Sequence, residues 1–286
     1  MSARRIIWLA SYPKSGNTWI RTFLANYILG NVGINELRSF SLSDVRADFY
    51  LRAAGGRYDN VSFSDWLRHR QNALRLIHDA REGTHFVKTH NRIDSIEGLP
   101  LIPPALTAAA IYILRNPFDI APSYARHIGT DLDTAIATMT ARNHVAAAPP
   151  GIYEVLGSWD THVDSWTGAR GLPMVTVRYE DLLADPKRGF APIFDFLKIT
   201  PHPRKLKQTI RATSFASLRQ QEDAGGFVER PAGMDKFFHS GRAGGWRETL
   251  SDAQVAALYR AFEPTLRKWY PELVEETGAI AERAGS

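Results

Sequence analysis

The 286 residues include no cysteine, 44% are hydrophobic and 23% charged, and the formal net charge is +5 with a pI near 9.4. A chain of this size and composition can bury a large core without cross-links, and the missing cysteine excludes a disulfide framework, thiolate-held zinc and thiol catalysis. The positive balance favours anionic partners, but the basic residues are dispersed rather than interleaved with aromatics, so no nucleic acid is expected.

The first apolar run, Ile6–Ser11, reads as a buried strand that stops before Pro13. It is too short to span a membrane and no small-residue cleavage site follows it, so a cytoplasmic location is expected. Lys14, Ser15, Gly16, Asn17 and Thr18 come next, and an amphipathic helix runs from Trp19 to Leu29. Strand, tight loop and helix N-terminus together form a nest of backbone N–H groups suited to phosphate or sulfate. Lys14 adds a point charge, while Ser15, Asn17 and Thr18 add hydrogen bonds. The lysine precedes the glycine, so the loop is P-loop-like without the usual Gly-x-x-x-x-Gly-Lys-Ser/Thr spelling. A plain strand-to-helix turn with a capping serine has the same residues.

Gly30–Tyr58 reads as irregular, with a mobile turn at Gly55-Gly56, and a helix follows over Ser64–Ala80. The second strand, His85–Thr89, delivers His90 to the ligand edge of the sheet. An imidazole there suits a general base, although a lone histidine also serves as a capping or surface group. The third strand, Ala110–Leu114, ends in Arg115-Asn116-Pro117. Asn116 reads as an N-cap, Pro117 as the first helical residue and Asp119 as a first-turn acid. Arg115 and Ser123 are placed to grip a second anion, unless Arg115 pairs with a carboxylate. Pro122 removes a backbone bond inside this helix.

Helices are expected over Leu132–Val145 and Tyr153–Gly168, then a fourth strand over Met174–Tyr179, then helices over Arg188–Leu197, His202–Arg211 and Asp252–Trp269. Between the last two lies Gln220–Gly245, with six glycines and Pro231. A loop of that length is functional or disordered. At its end, Gly241-Arg242-Ala243-Gly244-Gly245-Trp246-Arg247 lets backbone amides approach a phosphate, or forms a flexible turn. The terminal Glu282–Ser286 is expected to fray. Strands alternating with helices predict an α/β fold in one domain over residues 1–286. Its central, mostly parallel sheet has helices on both faces, with a P-loop-like nucleotide site beyond the strand ends.

In this order, Tyr12 to Trp19, Lys88-Thr89-His90, Arg115 to Asp119 with Ser123, Tyr179 to Leu182, Thr213-Ser214-Phe215 and Gly241 to Trp246, the motifs resemble the cytosolic type of PAPS-dependent sulfotransferase. PAPS is 3′-phosphoadenosine 5′-phosphosulfate. The resemblance spans about Ile6 to Trp246. It implies that Lys14, Ser15, Gly16, Asn17, Thr18 and Trp19 form the 5′-phosphosulfate loop, with Lys14 on the bridging oxygen. It implies further that Trp19 and Phe215 pack on adenine, that Arg115 and Ser123 hold the 3′-phosphate, and that Tyr179 reaches the nucleotide. Arg242, Ala243 and Gly244 would wrap the 3′-phosphate, and His90 would be the catalytic base. No metal is implied. The family favours an arginine where this chain has His239, and Arg242 is the candidate to replace its charge.

The acceptor is then a small molecule or glycoconjugate bearing a hydroxyl or amine. Gly30–Tyr58, His127–Pro150 and Gln220–Asp235 would shape its site, and Phe49, Tyr50, Tyr124, Phe227 and Phe237 are candidates for its apolar lining. A homodimer is compatible with the sequence. Two other readings stay open. A P-loop kinase or nucleoside triphosphatase would need Mg²⁺, with Glu180 and Asp181 as the nearest acids. A non-catalytic nucleotide- or sulfated-glycan-binding protein would have no use for Lys14 and His90 together.

Overall fold

The computed structural model describes residues 5–231 and 233–284. Strand β1 (Ile6–Ser11) turns through Tyr12–Gly16 into helix α1 (Asn17–Ile28). The segment expected to be irregular holds a 3-10 turn (Ile34–Ser39), strand β2 (Ser41–Ser43) and helix α2 (Ala47–Ala53). Helix α3 (Phe63–Asp79) then leads to β3 (His85–Thr89), and a small hairpin, β4 (Ser95–Ile96) with β5 (Leu99–Pro100), precedes β6 (Thr107–Leu114). Helix α4 (Pro117–Ile128) starts as anticipated, with Asn116 Oδ1 accepting from the Asp119 amide at 2.9 Å and Pro117 in the first turn.

Helix α5 (Leu132–Thr140) stops short of Val145. A hairpin of β7 (Val145–Ala148) and β8 (Ile152–Val155) replaces the expected helical residues on both sides. The run Ala146-Ala147-Ala148 has high helix propensity, but Pro149-Pro150 follows it and a residue before proline is driven to extended backbone. Helix α6 (Trp159–Thr167) therefore begins six residues later than the pattern suggested.

After β9 (Met174–Arg178) come α7 (Tyr179–Ala184), α8 (Pro186–Gly189) and α9 (Ala191–Phe196). The single helix expected over Arg188–Leu197 is thus divided at Phe190, beside Pro192. Next are α10 (Pro203–Ala212), α11 (Phe215–Gly225), loop residues 226–231 and 233–244, a 3-10 turn (Gly245–Glu248), α12 (Asp252–Trp269) and α13 (Pro271–Arg283). Helix α13 was not anticipated, and it orders Glu282 and Arg283. The final two residues of the segment expected to fray lie outside the described residues.

The main sheet has five strands in the order β2-β3-β1-β6-β9, all parallel. Alternation along β1 shows why helices cover both faces. Ile6, Trp8 and Ala10 point into a core built with α3, α4, α5, α6 and α12, and Ile7 and Leu9 into a second core with α1, α9 and α10. Ala10 sits opposite Thr89 in β3, and Ser11 opposite Ile113 in β6. That register brings the residues after β1, β3 and β6 to one edge. Among the described residues, no helix is long and apolar enough to cross a membrane.

Candidate active site

A cavity of about 310 Å³ opens at that edge. Its wall includes Lys14, Gly16, Asn17, Thr18 and Trp19 from the first loop, Lys88 and His90 after β3, and Arg115 and Ser123 around the start of α4. Tyr179 and Phe215 add aromatic surface, and Gly241 and Arg242 come from the late loop. Most of the site residues expected from sequence are therefore brought together. Ser15 lies just behind the wall, Ala243 is exposed, and Gly244 turns its amide away to Asp119 Oδ2 at 2.8 Å.

The first loop is not a serine-capped turn. Gly16 occupies the N-cap position of α1, in left-handed conformation (φ 98°), and no side chain caps the helix. A Cβ at Gly16 would lie 2.6 Å from the Tyr179 ring, so both the conformation and the close approach require glycine. Lys14 is also left-handed (φ 67°), which aims its side chain into the cavity wall. Its buried ammonium has no hydrogen-bond acceptor and rests 3.9 Å from the centre of the Phe237 ring. Burial lowers its pKa to about 7, and the positive charges of Lys88, Arg115 and Arg126 push the same way. Ser15 Oγ, Asn17 Oδ1 and Arg115 Nε are likewise buried without partners. Buried polar groups are normally satisfied. Four orphans around one loop mark a site prepared for a polar ligand.

Arg115 is not tied up by a carboxylate. Its terminal nitrogens donate to the carbonyls of Lys14 (3.0 Å) and Arg242 (3.2 Å), and its guanidinium lies 4.4 Å from the centre of the Tyr179 ring. It thus joins the first loop to the late loop. The late loop is held by further bonds that the sequence did not advertise. Asp119 accepts from the amides of Gly244 and Trp246, Glu222 accepts from the amides of Phe237 and Phe238, and Glu229 forms a two-pronged pair with Arg21 at 2.8 Å. Gly241 is packed so closely under Phe215 that a Cβ would come within 2.1 Å of that ring.

His90 is neither a cap nor a surface group. Its Nδ1 lies 2.8 Å from the Ser11 carbonyl, which can only accept, so Nδ1 holds the proton and Nε2 carries the free lone pair. Among the described residues Nε2 has no hydrogen-bond partner. Burial, with the nearby charge of Lys88, holds the His90 pKa well below the ordinary histidine value, so the ring is neutral. Lys88 belongs to the Lys88-Thr89-His90 motif, which gave it no role of its own. It stands two positions before His90 and lines the same cavity, with Nζ 3.8 Å from Glu229. The period of two along a strand was the available signal. Glu154, on β8, also lines the cavity, and burial raises its pKa to about 7.

Of the residues considered for an apolar acceptor lining, only Phe237 reaches the cavity wall. Phe49, Tyr50 and Tyr124 are packed in the larger core, and Phe227 packs against Phe237 and Phe238. Sequence alone does not separate an aromatic that faces a ligand from one that fills a core. Glu180, an acid considered for a metal-dependent reading, is occupied structurally: it accepts from the Asn116 amide and side chain and from the Tyr270 hydroxyl. Among the described residues, no group of three His, Asp or Glu side chains is arranged to hold a metal ion.

The family model for the sulfotransferase domain matches residues 4–270. The chain belongs to the PAPS-dependent sulfotransferase family. Sulfotransferase 1B1 of Mus musculus is 25% identical over 269 residues, covering 87% of this chain and 78% of that protein. Two solved structures share the fold of this sulfotransferase. A mouse sulfotransferase complexed with PAP aligns over 99% of this chain and 90% of its own, with a TM-score of 0.63 and 19% identity. Retinol dehydratase in a complex with retinol and PAP aligns over 93% and 82%, with a TM-score of 0.66 and 19% identity.

Proposed function

We propose that the protein transfers the sulfuryl group of PAPS to a hydroxyl-bearing acceptor, with adenosine 3′,5′-bisphosphate as the second product. The observation that carries the reading is the grouping of Lys14 Nζ, Asn17 Oδ1 and Arg115 Nε, all buried and unpartnered, on one cavity whose wall also holds His90, with the unpartnered Ser15 Oγ just behind that wall. PAPS supplies the sulfuryl group when bound. The N-terminus of α1 and Lys14 stabilise negative charge that grows on the oxygen being released. Arg115 and Ser123 bind the 3′-phosphate, and Trp19, Tyr179 and Phe215 form aromatic surface for adenine.

Nε2 of His90 accepts the acceptor's hydroxyl proton as the new oxygen–sulfur bond forms and the bridging bond breaks. The Ser11 carbonyl keeps the correct nitrogen free for this step. Holding the two reactants in line supplies the rest. The acceptor end lies near Lys88, Glu154, Val45 and Phe237, a mixed polar and apolar surface that fits a small hydroxyl compound. A location in the cytoplasm is proposed with it.

His90→Ala separates this reading from a metal-dependent kinase. Sulfuryl transfer from labelled PAPS to a panel of phenols, alcohols, amines and sugars is expected to fall at least about 100-fold, the lower end of general-base catalysis. The affinity for adenosine 3′,5′-bisphosphate should stay within about twofold, since His90 has no role in donor binding. Full transfer activity in that variant removes His90 from the base role, and ATP turnover that depends on Mg²⁺ would replace the whole reading.

A further inference from the structure

The cation expected to replace the missing late-loop arginine is directed elsewhere. Arg242 turns its guanidinium outward into a two-pronged pair with Glu248, and its side chain is 54% exposed. His239, at the position in question, is an exposed imidazole whose pKa is lowered by partial burial and then by the charges of Arg126 and Arg219. Arg115 uses one N–H from each terminal nitrogen on the carbonyls of Lys14 and Arg242. A phosphate dianion at this end of the cavity would find Arg115 only partly available.

Arg126 is the cation that faces the same space. It follows Ser123 by three residues on α4, and residues three apart share a helix face. Both line the cavity with Arg115. Among the described residues Arg126 has no hydrogen bond or ion pair, although its charge is felt by Lys14 and His239 and meets that of Arg115. Carboxylates close by do not offset it. Asp119 is engaged by Gly244, Trp246 and Asn116, and Glu229 by Arg21. Four basic side chains, Lys14, Lys88, Arg115 and Arg126, therefore line a space suited to a ligand with several negative charges.

We propose that Arg126 is the second guanidinium for the 3′-phosphate of the donor, and that with Arg115 and Ser123 it makes the site that distinguishes a 3′,5′-bisphosphate from a 5′-monophosphate. This rests on the sulfotransferase reading above. The late loop then covers this end with backbone and aromatic surface, while the charge comes from α4, a rigid helix.

The test is calorimetric binding of adenosine 3′,5′-bisphosphate and, by competition, adenosine 5′-monophosphate to the wild type, Arg126→Gln and Arg126→Lys. Loss of a charge-assisted hydrogen bond is expected to weaken bisphosphate binding to Arg126→Gln by about 10- to 100-fold. Monophosphate binding should change by less than about twofold, and Arg126→Lys should recover part of the loss because it restores the charge without the fork. Equal weakening of both nucleotides would make Arg126 a structural residue, and no weakening of either would leave it outside the site; each overturns the inference. A wild-type protein that binds the two nucleotides equally well would remove the donor reading itself, and this inference with it.

Discussion

Lys14 carries the chemistry of the site in one side chain. Its ammonium is buried, lacks an acceptor and is held against Phe237. With its pKa lowered to about 7, it is largely neutral above that pH in the folded protein, whereas the unfolded chain keeps it charged up to its ordinary 10.5. The unfolded state therefore binds more protons between about pH 7 and 10.5, and this lysine's penalty on stability, full below pH 7, is relieved as the pH rises through that window. A bound phosphosulfate reverses the preference by favouring the ammonium. Binding of adenosine 3′,5′-bisphosphate at pH 8 should thus take up protons, and its affinity should decline as pH rises above 7. Calorimetry in two buffers of different ionisation enthalpy reads the uptake directly. An equal enthalpy in both buffers would show that Lys14 is not coupled to the ligand, and Lys14→Met should abolish the uptake while weakening binding.

At the scale of elements, the tip of β3 depends on a strand that sequence reading passed over. Asp44, just past β2, is fully buried and accepts from Arg70 (2.7 Å), Thr89 (2.7 Å) and Asn91 (2.9 Å). Asn91 in turn accepts from the Val155 amide of β8 at 2.7 Å. One carboxylate thus clamps the residues on both sides of His90 and the hairpin that bears Glu154. Asp44→Asn leaves Arg70 as a buried charge without its partner, which typically costs about 3–5 kcal/mol. The expected outcome is a melting temperature lowered by roughly 5–15 °C. A kcat reduced more than bisphosphate affinity should accompany it, because the base would be misplaced while the donor loop is intact. Unchanged melting would show that the network contributes little. Strand β2 was illegible because Ser-Leu-Ser is too short and too polar to display an alternation, and it forms only by pairing with β3.

On the scale of the whole molecule, the late loop is a cover fastened at several points, among them Asp119 on α4, Glu222 on α11, Arg21 on α1 and Arg115 at the end of β6. Arg21 is only 1% exposed, and Glu229 reaches it from a position 208 residues away in the chain. The charges of Arg21 and Lys88 contribute to holding the Glu229 carboxyl down at about 2, so the fastening is ionised at any pH above that. Glu229→Gln should loosen the cover and speed proteolytic cleavage within 226–244 several-fold. Adenosine 3′,5′-bisphosphate should restore protection if the loop closes over the donor. Cleavage at the wild-type rate would mean that the other fastenings suffice.

The strand ends and the loop after β1 were readable from local pattern, because a buried strand followed by a glycine turn and a helix start is written in adjacent residues. Ile6–Ser11, His85–Thr89 and the Asn116-Pro117 start of α4 needed nothing beyond their neighbours. Which atoms face the ligand was decided elsewhere. The free nitrogen of His90 depends on a carbonyl in another strand, the outward turn of Arg242 on Glu248, and the fastening of the late loop on α1. Those outcomes follow from desolvation and pairing across long separations, and such terms have no value until the chain has folded.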